Sequence, residues 1–165
     1  MPNCRWRGLW AGPFAALLLL SCSKAELSAE QIHRDQQLLA TLATSDRWSI
    51  EARKACLQFL DQHKNPEASS CVNSRAEPTL ETALATIDSS DIKSHPARDH
   101  RDELRNALRE SRGLLRKWME QQKAGDSSGL GETATQLRAL IGREEEVQRA
   151  ITLELQPRGA GASSR

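Results

Sequence analysis

The sequence predicts an all-α protein: a small helical bundle with a long antiparallel helical hairpin, held by one disulfide. Three observations predict it. Beyond residue 21 the only aromatics are Trp48, Phe59 and Trp118 and the only valines are Val72 and Val147, while Ala, Leu, Glu, Gln and Arg abound. Residues suited to a pleated surface are therefore scarce and good helix formers common. Apolar side chains recur at intervals of three and four, the period of one helix face. Prolines and Ser/Asp clusters fall between these periodic runs, where helices start and stop.

The elements follow in order. Ser28-Ala-Glu-Gln31 has the form of a capping box, and Ile32, Leu39, Leu42 and Ala43 give the helix it opens an apolar stripe. At Ser45-Asp46 the stripe resets. Trp48, Ala52, Ala55, Cys56, Phe59 and Leu60 then define a second helix ending near His63. Asn65-Pro66 starts a short helical turn carrying Cys71. Pro78 starts a helix with Leu80, Ala83, Leu84 and Ile87 on one face, which Ser89-Ser90-Asp91 stops. Pro96 opens the strongest helix, whose Leu104, Leu108, Ser111, Leu115 and Trp118 step like a coiled-coil seam. Residues 123–131 read as a flexible linker from their Gly and Ser content. A last helix runs from about Glu132 to Leu155, with Leu137, Leu140, Ile141, Glu144, Val147 and Ile151 on its inner face. The last two helices form the hairpin, and the shorter ones pack at its base.

Arg5 and Arg7 precede an apolar run, Leu9 to Leu20. At about a dozen residues it is shorter than a spanning helix needs, so it reads as a signal peptide. The run ends in Leu19-Leu20-Ser21-Cys22, which resembles the lipobox of bacterial lipoproteins. That resemblance implies cleavage before Cys22 and lipidation of its thiol and new amine. The alternative is an ordinary secretory signal with an incidental cysteine. Ser23, in place of Asp, implies by the same resemblance an outer-membrane location facing the periplasm. The expected organisation is a removed signal peptide at 1–21, a lipidated tether at 22–27, a helical domain at 28–156 and a disordered tail at 157–165.

Without residues 1–21 the chain carries 21 basic and 22 acidic side chains, a balance that does not suggest nucleic-acid binding. Cys4 leaves with the signal peptide and Cys22 carries lipid. Cys56 and Cys71 remain in an oxidising compartment, where a disulfide is expected. It would close a loop of about 15 residues, worth roughly 3 kcal/mol in the chain-entropy model. The alternative is two free thiols, with Cys56 packed in the core.

No nucleophile elbow, Gly-rich phosphate loop or zinc-spaced cysteine set occurs, so neither an enzyme nor a cofactor or metal protein is expected. His95, Asp99 and His100 are too few to name a metal site and read as solvated helix-start residues. Trp48 and Trp118 both fall on apolar runs and read as core. The unusual feature is basic. Arg98, Arg101, Arg105, Arg109, Arg112 and Arg116 fall within roughly 80° of one helix face at 3.6 residues per turn. They form either a cationic strip for an acidic partner or lipid phosphates, or a flank paired with Glu144 to Glu146 of the last helix.

Three segments resemble the QseG family of outer-membrane lipoproteins, which associate with a two-component sensor kinase. They are Trp48 with Arg53-Lys-Ala-Cys56-Leu-Gln-Phe-Leu60, Ile92 and Pro96 followed by Arg101 and Leu104, and Leu114-Leu-Arg-Lys-Trp118-Met-Glu-Gln-Gln. The resemblance covers about residues 48–150 and implies binding to a kinase's periplasmic sensor region without catalysis. Lipidated pilotins of secretion complexes are similar in kind, being small, helical and membrane-tethered. The expected function is a non-enzymatic, membrane-anchored interaction module whose partner is an envelope protein, either a sensor kinase or a secretion component.

Overall fold

The computed structural model describes residues 27–156. The signal peptide, Cys22, most of the tether and the tail lie outside the described residues. Helix α1 spans Ala29–Asp61, α2 Asn65–Cys71, α3 Glu77–Asp88, α4 His95–Ala124 and α5 Ser127–Leu155, and a π-helical turn over Val72–Ala76 joins α2 to α3. The all-α expectation holds, as do the opening cap and the disulfide. Ser28 Oγ accepts from the Gln31 N–H at 3.1 Å. Cys56 and Cys71 are bonded, with their Cα atoms 5.3 Å apart.

Three expectations are corrected. There is no break at Ser45-Asp46: α1 is one helix of 33 residues. Its buried positions include Asp35, Leu39, Leu42, Asp46, Ser49, Arg53 and Cys56, an unbroken alternation of fours and threes. Polar residues occupy the middle of the seam, so the apolar stripe stops while the helix does not. Residues 123–131 are no flexible linker either. Helix α4 ends in a Schellman turn, with Gly125 at φ 70° and the Asp126 N–H bonded to the Gln121 carbonyl at 2.9 Å. Asp126 then caps α5 by accepting from the Gly129 N–H at 2.9 Å. A Cβ on Gly129 would lie 2.2 Å from Asp126 Oδ2, so the cap requires glycine there. Finally, the hairpin does not stand clear of shorter helices. The longest helix, α1, lies along it.

Pairings along the helices fix their directions. Asp35 accepts from the Lys93 and Ser94 N–H groups at 3.0 and 2.6 Å, placing the starts of α1 and α4 at one end. Burial opposes ionisation of Asp35, but the Ser94 N–H, the Gln31 amide and the Lys93 N–H outweigh it and hold its pKa below the usual value. Helix α5 runs back against both, pairing Arg138 with Asp61, Lys54 with Glu145 and Gln148 with Ala43. Helix α3 also runs antiparallel to α4. Pro78 crowds the carbonyl four residues earlier and offers no N–H, and the helix widens to π geometry just ahead of it, with the Glu77 N–H bonding the Val72 carbonyl.

Leu39, Leu42, Leu80, Ile87, Leu104, Leu108, Leu137 and Ile151 fill the core together with Trp118, which lies on the seam as expected. Midway along the seam sits a polar layer. Arg53, Ser111 and Glu144 are each wholly buried. Arg53 Nη1 donates to Glu144 Oε1 at 2.9 Å and Nη2 to Oε2, a bidentate pair. Ser111 Oγ donates to Glu144 Oε1 at 3.0 Å, and Arg53 Nε donates to its own helix at Ser49 O, 3.2 Å away.

A buried pair of this kind is costly to break and not to replace. Glu144→Gln removes the carboxylate that binds Arg53 in bidentate fashion and is expected to lower unfolding free energy by about 3–5 kcal/mol. Arg53→Met combined with Glu144→Met is expected to recover most of that loss. Urea denaturation of the single and double variants checks both, and additive losses would show that the two side chains are not coupled.

Candidate functional site

The six strip arginines share the expected face of α4, and the structure puts α3 against it. Arg105 Nε donates to Asp88 Oδ1 at 2.9 Å, and its Nη1 reaches Asp102 Oδ1 at 3.1 Å. Arg109 reaches the same Asp88 oxygen at 3.4 Å, and Arg112 pairs with Glu81 at 2.7 Å. Arg101 pairs with Asp102, its immediate neighbour, at 2.7 Å. The acids expected opposite the strip are engaged elsewhere. Glu144 holds Arg53, Glu145 holds Lys54 and Glu146 lies 3.9 Å from Arg149. Arg98, Arg109 and Arg116 are exposed, so cationic surface persists at intervals of about three and two turns, while Arg105 and Arg112 brace α3.

His95 and His100 do not converge. His95 Nδ1 lies 3.0 Å from Asp99, and His100 lies 3.0 Å from Glu154 of α5. Among the described residues no three potential ligands gather around a metal position.

Trp48 is not core. It is 69% exposed, the largest apolar side chain left open to solvent among the described residues. The inward position belongs to Ser49, one residue on, and a helix turns by about 100° per residue. Trp48 instead flanks a groove of ≈ 390 Å³ between α1 and α3, with Ser45, Pro78, Thr79 and Thr82 as its other walls. None of these residues carries charge.

The threonines of this surface turn their hydroxyls inward to their own helices. Thr44 donates to the Ala40 carbonyl at 2.9 Å, Thr79 to Arg75 at 2.9 Å and Thr82 to Pro78 at 2.9 Å. These hydroxyls are thereby bonded within their own helices. Thr41 above and Thr86 beside them repeat the arrangement, at 3.1 Å to Gln37 and 2.8 Å to Thr82. In a chain with 27% charged residues, the five side chains lining this groove are uncharged, and one of them is an exposed indole. The signal that could have found it is the run of Ser and Thr at helical spacing on two segments. Its meaning depends on the two helices being neighbours.

No family model, no curated protein and no solved structure matches this chain.

The ion pairs of the strip predict two kinds of arginine. Arg105→Glu with Arg112→Glu sets like charges against Asp88 and Glu81, and should lower the melting temperature by loosening α3. Arg98→Glu with Arg116→Glu should lower it far less, since exposed substitutions away from such contacts usually change stability by within about 0.5 kcal/mol each. Circular-dichroism melts of the two double variants, side by side, measure the difference.

Proposed function

We propose that this chain is a lipid-anchored interaction module of the bacterial envelope, without catalytic activity, that docks a partner on the α1–α3 strip around Trp48. The observation that carries the docking surface is the exposed indole beside an uncharged groove. Aromatic side chains of this kind commonly anchor protein interfaces. The lipid anchor rests on the Leu19-Leu20-Ser21-Cys22 segment, and the bonded Cys56–Cys71 pair fits an oxidising compartment such as the periplasm.

The chemistry of the surface selects the partner. A charged segment placed in the groove of Ser45, Trp48, Pro78, Thr79 and Thr82 would lose its hydration and meet no opposite charge among these side chains. An uncharged helical face of an envelope protein meets no such cost, and a groove between two helices suits a helix. The exposed Arg98, Arg109 and Arg116 lie on a different helix and would steer an acidic partner without forming the contact. The QseG resemblance favours the periplasmic sensor region of a two-component kinase as the partner. The groove equally suits the reading as a pilotin, which would take a helical segment of a secretion component and carry it to the outer membrane.

Lipidation is tested by fatty-acid labelling of cells expressing the chain. Label is expected in the wild-type protein and not in Cys22→Ser, and label retained by Cys22→Ser would overturn the anchor. Docking is tested with a photo-crosslinking residue at position 48, which should capture one defined envelope protein. Its identity as a kinase or a secretin subunit separates the two readings. Trp48→Arg should weaken that complex at least tenfold while the circular-dichroism melt stays unchanged. Full binding by a folded Trp48→Arg protein would remove the strip from the interface.

A further inference from the structure

The polar layer contains one charge too many. Asp46 of α1 lies beside Arg53 and Glu144, and all three are wholly buried. Two carboxyl groups therefore share a single guanidinium, whose two Nη atoms are already committed to Glu144 and Ser111. Asp46 Oδ2 accepts from Gln148 of α5, and that same amide also donates to the Ala43 carbonyl at 3.1 Å. Asp46 Oδ1 and the neighbouring Ser49 Oγ have no partner among the described residues.

With both acids ionised, the layer holds a net negative charge out of contact with water, an arrangement several kcal/mol costlier than a paired one. Two carboxylates sharing a site resolve this by keeping one proton between them. That proton also satisfies the orphaned oxygen. As a carboxylic acid, Asp46 donates from Oδ1 toward Glu144 and still accepts from Gln148 at Oδ2. Every group acting on Asp46 is accounted for in this way. Glu144 and Gln148 face it from α5, and Arg53 and Ser49 flank it on α1. Helix α4 contributes only the Ser111 hydroxyl, through Glu144.

We propose that Asp46 and Glu144 hold a single proton across the α1–α5 seam and that its release loosens the seam, so that the bundle carries a pH-sensitive joint. Release breaks the Asp46 O–H bond, passes the proton to water and leaves two carboxylates facing each other beside one guanidinium. The seam relieves that repulsion by admitting water or by parting α1 from α5 between the Ala43 and Arg53 levels. A protein in the bacterial envelope would meet external pH directly, and the joint does not depend on which partner it binds.

Desolvation by burial, reinforced by the charge of Glu144, raises the Asp46 pKa from 3.8 to about 7. A carboxyl group raised on folding contributes stability that is complete below its unfolded value and is lost as pH rises through its folded value. The melting temperature of the full chain should therefore fall between about pH 4 and pH 7 and level off above. One linked proton changes the opening equilibrium by up to about tenfold per pH unit across that window. Hydrogen-exchange protection factors of residues 43–53 and 141–151 report it locally.

Asp46→Asn keeps the shape, offers an N–H toward Glu144 and cannot ionise, so its melt should lack this descent. It retains His95 and His100, so the difference from wild type isolates Asp46. The Asp46 carboxyl ¹³C shift in the wild-type chain reads the proton directly and does not depend on the variant folding. Its midpoint is expected near neutrality. A carboxyl already ionised at pH 5, or an Asp46→Asn melt with the wild-type pH dependence, would overturn the proposal.

Discussion

The bidentate pair between Arg53 and Glu144 governs how this bundle is assembled. Both side chains are wholly buried, and they join residues 91 positions apart in sequence. Each charge loses its hydration on folding, a cost that is offset only where both guanidinium N–H groups meet both carboxylate oxygens. Sliding α5 along α1 by one turn, or rotating either helix, strands both ions. A seam of Leu and Ala alone would tolerate such slips far better. A buried polar group at a coiled-coil position is known to select one register at some expense in stability. Here Ser111 extends the selection to α4 by donating to the same carboxylate. Three long helices are thereby set at a common level, and the apolar layers above and below fall into place around it.

That same layer explains what could and could not be seen in the sequence. Helix α4 was legible in full because Leu104, Leu108, Leu115 and Trp118 announce its seam and only Ser111 interrupts it. Helix α1 carries an equally regular seam, but Asp46, Ser49 and Arg53 occupy three consecutive positions of it. A stripe defined by apolar residues must end there, and a helix break is the natural inference. The mistake at residues 123–131 has a different origin. Gly and Ser are common in flexible linkers and also in tight helix joints, and composition does not separate the two. Gly125 takes a left-handed turn and Gly129 makes room for the Asp126 cap, so these residues fold the connection tightly. The disulfide was legible from cysteine arithmetic, because only two cysteines remained once the N-terminal pair had been assigned.

The candidate surfaces were legible to different depths. Periodicity placed all six strip arginines on one face of α4, as the structure does. It could not say what lies across from that face, since sequence spacing describes one helix at a time. The facing acids proved to be Asp88 and Glu81 on the short helix α3, while Glu144 and Glu145 pair with α1 and Glu146 lies near Arg149 of its own helix. Trp48 was lost by a single residue. Its spacing to Ala52 suggests a shared face with the core, yet the seam passes through Ser49 and Arg53, and a rotation of about 100° carries the indole out to solvent. The groove beside it is not visible in either segment alone, because three of its five lining residues belong to α3.

Seam and surface meet on one stretch of helix. Asp46 and Trp48 are two residues apart, about 200° around α1, so one points into the polar layer while the other faces solvent. Helix α1 is continuous through this point, with no proline or glycine to absorb a displacement. A helix of this kind moves as a rod over a turn or two. Any shift of α1 away from α5 at the level of Asp46 therefore carries Trp48 with it. Pro78, Thr79 and Thr82 belong to α3, which packs on α1 and is also tied, through Asp88 and Glu81, to the arginines of α4. The charge state of Asp46, which no partner can touch, is set on the same turn of α1 that carries the exposed indole. The arginine strip, by bracing α3, supports the other side of the groove beside that indole.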